Sequence, residues 1–165
     1  YAILPVILQP DRRRLLSYGW GASALALAGL ACFLMWPTAT PASDIDWTRY
    51  PSVLFLKSVD QAGNACPSLH AAFAIFSALW LGRLLRDMGG RAPAQVLNAC
   101  WCVGILYSTI ATRQHVAIDL AAGTALGAVA FALHRYFMLR TPRRAKRRSA
   151  QAPLPLPAPD TRPGE

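Results

Sequence analysis

Acidic residues are scarce in this chain, 8 against 17 basic ones, and charged side chains make up only 15% of its 165 residues. That is too little charge to coat a soluble domain whose composition is 54% hydrophobic. Cysteine is also sparse: Cys32, Cys66, Cys100 and Cys102 mostly lie inside apolar runs, where thiols behave as small hydrophobes. No disulfide framework is expected. Cys100 and Cys102, two apart, would face different sides of a helix, so they do not read as metal ligands, and neither a metal nor a cofactor is expected. No basic start followed by a small-residue cleavage site can be read as a signal peptide. Nor is there an internal repeat or a span broken at its middle, which argues against transport. The chain opens at Tyr1 without methionine, and Tyr1 to Leu8 is apolar yet too short to cross a bilayer. It reads as the tail of a helix whose start is missing.

What the chain has in quantity is long apolar runs. Residues 15–36, 68–85, 96–112 and 116–139 each approach the roughly 20 residues that span a hydrocarbon core. The expected fold class is therefore all-α, a multi-pass transmembrane helical bundle with four full spans and one partial span at its start. A net charge of +9 would also suit a nucleic-acid binder, but the positive residues fall in short clusters at the ends of the apolar runs. No nucleic-acid partner is expected.

Those clusters orient the spans. Arg12 to Arg14, Arg83, Arg86, Arg91, Arg135, Arg140 and the cluster up to Arg148 fall on one side, and only Arg49, Lys57 and Arg113 on the other. By the excess of Lys and Arg in cytoplasmic loops, the first side is cytoplasmic. The expected location is a plasma (inner) membrane. Residues 1–140 then form the membrane domain, and 141–165 a basic, then proline-rich, disordered cytoplasmic tail. Residues 37–66 are the longest polar connection, with interfacial character at Asp44 to Trp47 and Tyr50. Residues 53–59 read as a short surface helix, and 60–64 as a turn.

Ser108 to Asp119, STIATRQHVAID, packs a hydroxyl, a guanidinium, an imidazole and a carboxylate between two apolar spans. If the chain is helical from Val116, His115 and Asp119 share a face, and the carboxylate can accept the proton of one ring nitrogen. The other nitrogen is then left unprotonated, as a nucleophile or base requires. Arg113 is placed to hold an anion beside it. The plain alternative is a tight turn anchored at the membrane surface.

On the same face, Cys66-Pro67-Ser68-Leu69-His70 opens a helix. Proline suits a first turn, and the free amides that follow, with the helix dipole and the Ser68 hydroxyl, suit an anion. His70, one turn in, is placed to protonate a leaving oxygen. Alone, a Pro-Ser pair is ordinary capping.

CPSLH and STIATRQHVAID resemble the second and third motifs of the type 2 phosphatidic acid phosphatase and haloperoxidase superfamily. The likeness is greatest to its membrane branch with Leu in Pro-Ser-x-His, which includes inositol phosphorylceramide synthase-like transferases. It covers roughly residues 15–139. The resemblance implies a six-helix membrane fold, with about one and a half helices missing before Leu15. It also implies attack of His115 on phosphorus to give a phosphohistidine, with Asp119 fixing the ring and His70 protonating the departing alcohol. Ser68, the Leu69 amide and Arg113 would stabilise the equatorial oxygens, without a metal. Two departures stand out. Thr109 occupies the place of the family's Arg, with Arg113 as the substitute, and the first motif has no match, leaving Arg49 or Lys57 to supply its charge.

Three functions follow from these readings. The first is hydrolysis of a lipid phosphate monoester or diphosphate at the extracytoplasmic face. The second is transfer of the phospho-headgroup to an alcohol by the same site. The third is a degenerate membrane protein that binds lipid without turnover.

Overall fold

The computed structural model describes residues 1–40, 46–52, 54–55 and 64–140. The candidate Lys57, the expected surface helix at 53–59 in most of its length, most of the turn at 60–64 and the tail from 141 lie outside them. The described residues form helices and no β-strand, in line with the all-α expectation. A one-turn helix, α1 (Leu4–Ile7), is followed by four long ones: α2 (Arg12–Met35), α3 (Leu69–Asp87), α4 (Ala92–Ala111) and α5 (Ala117–Arg140). All four long helices are sufficiently long and apolar to cross a membrane.

Local chemistry sets where each begins and ends. Asp11 caps α2, its Oδ1 accepting from the Arg14 amide at 2.8 Å, so the helix starts three residues before the apolar run. Ser68 caps α3 through Oγ, which accepts from the Ala71 amide at 3.3 Å. Gly89, at φ +72°, lets the chain turn out of α3, a backbone state that costs glycine nothing. Pro93 sits in the first turn of α4, where its missing N–H leaves no donor unpaired.

α3 is the central helix, flanked by α5, α4 and α2. Between α2, α3 and α5, Tyr18, Leu25, Ala72 and Phe76 form a buried cluster, with Trp80 and Phe131 packed against it. Tyr18 Oη also meets Ser77 Oγ at 3.0 Å and donates to the carbonyl of Ala2 at 2.9 Å, holding the N-terminal segment against the bundle. α5 approaches α3 backbone to backbone: a Cβ on Gly123 or Gly127 would run into the carbonyl oxygens of Ser68 and Ala72. Small residues permit this contact, the main source of helix association where lipid is as apolar as leucine. α4 lies on the other flank of α3, tied by Gln95 to the Gly82 carbonyl at 2.9 Å and by Asn98 to the Ala78 carbonyl at 3.0 Å. The outward faces are apolar, with Trp20, Leu27, Leu34, Trp101, Val103 and Ile118 all exposed. Trp20 lies eight residues beyond Arg12, about 12 Å along α2.

The ends of the helices sort into two faces. Arg14 Nη1 meets Asp87 Oδ2 at 2.9 Å, joining the start of α2 to the end of α3. At the other face Leu69, at the start of α3, covers Gly29, late in α2. His70 and His115 sit at this second face.

Candidate functional site

The cap of α3 and the turn between α4 and α5 are built against each other. The Ser68 amide donates to the Asp119 carbonyl oxygen at 3.0 Å, and Gly123, one turn further along α5, clears the Ser68 carbonyl. The chain before Ser68 is held as well, because Thr38 Oγ1 accepts from the Cys66 amide at 2.8 Å and the Thr38 carbonyl from the Ala65 amide at 3.0 Å. Pro67 and Ser68 are buried. At Leu69 and His70 the amides have no acceptor inside the helix, as at any helix start.

The α4–α5 turn is wound around Thr109. Its carbonyl oxygen accepts from the Gln114 amide at 3.1 Å and the His115 amide at 3.3 Å, while its Oγ1 donates back to Leu106 at 2.8 Å. Arg113 takes a left-handed backbone conformation, φ 51°, to close this turn, an uncommon state for a residue with a side chain. Asp119 lies in the first turn of α5. Its Oδ2 reaches back to accept from the amide of Val116, the residue before the helix, at 3.1 Å.

These two segments bring His70 and His115 together. Their ring centroids are 5.8 Å apart and their planes cross at 60°. His70 is exposed, whereas His115 and Asp119 are only 6% and 4% exposed. The His115 Nδ1 to Asp119 Oδ2 distance is 3.8 Å. That is beyond hydrogen-bond range but close enough for a carboxylate to act on the ring by charge. In place of the expected carboxylate–imidazole hydrogen bond there is a near contact to the same Oδ2 that receives the Val116 amide.

Of the remaining candidates, Ser68 is fully buried and Leu69 partly so, with its side chain over Gly29. Arg113 is exposed at the turn two residues before His115. Arg49, in a 3-10 turn (Trp47–Arg49), pairs with Asp46 at 3.4 Å on open surface. Cys66, beside the cap, has its thiol pushed above its ordinary range by burial and by the nearby Asp119 carboxylate. Among the described residues no cluster of three or more His, Cys, Asp or Glu could hold a metal ion. Sequence reasoning missed the backbone service of Thr38 and Thr109. A polar residue early in a long connection, or at a helix end, carries no mark of which amide it will receive.

The family model described as the PAP2 superfamily matches residues 1–133. The chain belongs to the PAP2 superfamily. No curated protein and no solved structure matches it. Membership supports phosphatase-type chemistry in general and lipid phosphates as the class of substrate, and the all-helical bundle with four membrane-length helices agrees with it. The match reaches the superfamily and does not single out a branch within it.

Proposed function

We propose that this PAP2 superfamily member hydrolyses a lipid phosphate monoester or diphosphate at the extracytoplasmic membrane face through a phosphohistidine on His115. The observation that carries the reading is the meeting of His70 and His115, from separate elements, at 5.8 Å between ring centroids. Asp119 lies on the Nδ1 side of His115, which leaves Nε2 as the attacking atom. Its lone pair forms the N–P bond as the P–O bond to the leaving group breaks, the lipid alcohol of a monoester or the lipid monophosphate of a diphosphate, and His70 gives its proton to the departing oxygen. Water then attacks phosphorus, His70 takes the water's proton, the N–P bond breaks and phosphate leaves. The Leu69 amide, the Ser68 hydroxyl and Arg113 hold the equatorial oxygens, aided by the positive end of α3. This set neutralises the charge that develops without calling on a metal ion. Arg49 and Lys57 remain the candidates for the further cation that the first motif supplies elsewhere in the superfamily.

Orientation rests on arginine. The start of α2, the end of α3 and the start of α4 carry Arg12, Arg13, Arg14, Arg83, Arg86 and Arg91, and the histidines are at the opposite ends. In this reading residues 1–140 are the catalytic membrane domain, in the plasma membrane, and 141–165 a cytoplasmic tail.

The test is phosphate release from phosphatidic acid or an isoprenyl diphosphate by the purified protein without added metal. Release by wild type and none by His115→Ala is expected. Release that survives His115→Ala would remove the phosphohistidine, and none by wild type would leave a lipid-binding protein with a degenerate site. The Leu of Pro-Ser-Leu-His favours a second reading, transfer of the phospho-headgroup to an alcohol as in inositol phosphorylceramide synthase-like relatives. Labelled lipid products formed with and without an alcohol acceptor separate the two.

A further inference from the structure

At the face opposite the histidines, α2, α3 and α5 line an open cavity of about 340 Å³. Three arginines line it, Arg13, Arg14 and Arg83, and its floor is polar: Ser17 Oγ lies 2.9 Å from His134 Nε2, and the His134 ring rests on Trp80 at 5.2 Å between centroids. Asp11 and Asp87 also line the cavity, and both are engaged by Arg14, at 3.6 Å and 2.9 Å. Three guanidinium groups against two carboxylates leave the cavity a single net positive charge, and with both acids turned to Arg14 the exposed Arg13 and Arg83 carry the cationic side of the lining. Leu84 and Met138 provide an apolar wall.

A cationic mouth near the helix ends, a hydroxyl–imidazole floor five residues into α2 and six before the end of α5, and an apolar wall fit a phosphate group carried on a hydrocarbon chain. We propose that this cavity is a second anion site, distinct from the histidine site, which binds the phosphate of an anionic lipid in the arginine-side leaflet. Guanidinium groups suit phosphate by geometry as well as charge, and each basic side chain near a membrane surface adds to the attraction for anionic lipid. The Ser17–His134 pair offers a hydrogen bond to the buried end of the headgroup. Because Arg14 joins α2 to α3 here, an occupied cavity would also bear on the packing of the two helices that support the far face.

The test uses the whole chain in detergent, with phosphatidylglycerol as probe and phosphatidylcholine as the neutral control, bound lipid being counted by native mass spectrometry. Phosphatidylglycerol is a phosphodiester, and His115→Ala, which alters the other site, is expected to leave its binding unchanged. Arg13→Gln/Arg83→Gln removes two exposed charges and is expected to weaken it by roughly tenfold or more. Equal binding of the two lipids by wild type, or full retention by the double arginine variant, would overturn the proposal. So would loss with His115→Ala, which would put the headgroup at the histidines. Inorganic phosphate at millimolar concentration tells the sources apart. Displacement of the lipid shows that the cavity takes phosphate itself, and persistence of the bound lipid shows that it takes the intact headgroup with its chains.

Discussion

The amide of Ser68 donates to the carbonyl oxygen of Asp119 at 3.0 Å, so the first turns of α3 and α5 are hydrogen-bonded to each other at the candidate site. Residues 51 positions apart in the chain thereby set one spacing. His70 follows Ser68 by two residues and His115 precedes Asp119 by four. Any change that parts these two helix starts therefore also parts the two rings.

Gly123 is the sharpest place to make that change. A methyl group there would enter the Ser68 carbonyl, a backbone atom that cannot rotate away. Gly123→Ala is expected to destabilise the protein by about 1–3 kcal/mol and to depress phosphate release with it. Gly104→Ala is the control, since nothing lies within 4 Å of that position and alanine favours a helix. Unfolding midpoints in detergent that fall for both variants alike, or for neither, would contradict the close approach described here.

His70 is exposed beside a buried His115, the arrangement wanted of an acid that meets the leaving group first. If it protonates the departing oxygen, its value depends on how badly that oxygen needs a proton. His70→Ala is expected to slow hydrolysis of a lipid phosphate by roughly 10²–10⁴-fold, and hydrolysis of p-nitrophenyl phosphate far less. Equal losses on both substrates would assign His70 to binding instead.

The helix extents and the two-histidine face were legible in the sequence because both depend on segregation along the chain: apolar runs between charged ends, and polar motifs interrupting them. The four runs differ from the observed helices by a few residues at each end, largely where a cap such as Asp11 carries the helix beyond the apolar stretch. What was not legible is which side of each helix faces inward. A helix apolar all round has no polar face to reveal its rotation. His134 is turned between helices onto Ser17 and Trp80, an inward rotation that nothing in its place beside Arg135 announces. The same limit hid the arginine-lined cavity, whose residues come from three helices and show no motif. Asp119 was legible as a neighbour of His115, but its engagement with the Val116 amide depends on where α5 begins.

Cys66 reports on Asp119 from outside the spans. Burial and the neighbouring carboxylate both disfavour its thiolate, so its pKa is raised and the reactive form is scarce at neutral pH. In a variant with Cys32, Cys100 and Cys102 changed to serine, alkylation is expected to be slow at neutral pH and to climb only in alkaline solution. Asp119→Asn removes the carboxylate's share of the shift, so the rate should rise at a given pH and the profile move toward lower pH. A profile unchanged by that substitution would place the Asp119 charge too far from Cys66 to matter.

Leu69 joins the candidate site to α2. Its side chain fills the place that a Cβ on Gly29 would need, so the leucine and the glycine act as one fit. Leu69→Ala empties that place and is expected to cost about 2 kcal/mol, the low end for a leucine truncation because the residue is only partly buried. Gly29→Ala forces the Leu69 methyl aside and should also destabilise. If the two substitutions act through one contact, the double variant should be more stable than the sum of the single losses predicts, by about 0.5–3 kcal/mol. Unfolding free energies of the four proteins in detergent measure that difference directly, and strict additivity would mean that Leu69 is held by something other than Gly29. Phosphate release measured on the same proteins then separates fit from chemistry. Since the Leu69 amide belongs to the backbone, Leu69→Ala should retain activity wherever the α3 start remains seated, and the Gly29→Ala/Leu69→Ala pair should recover whatever Gly29→Ala alone has lost.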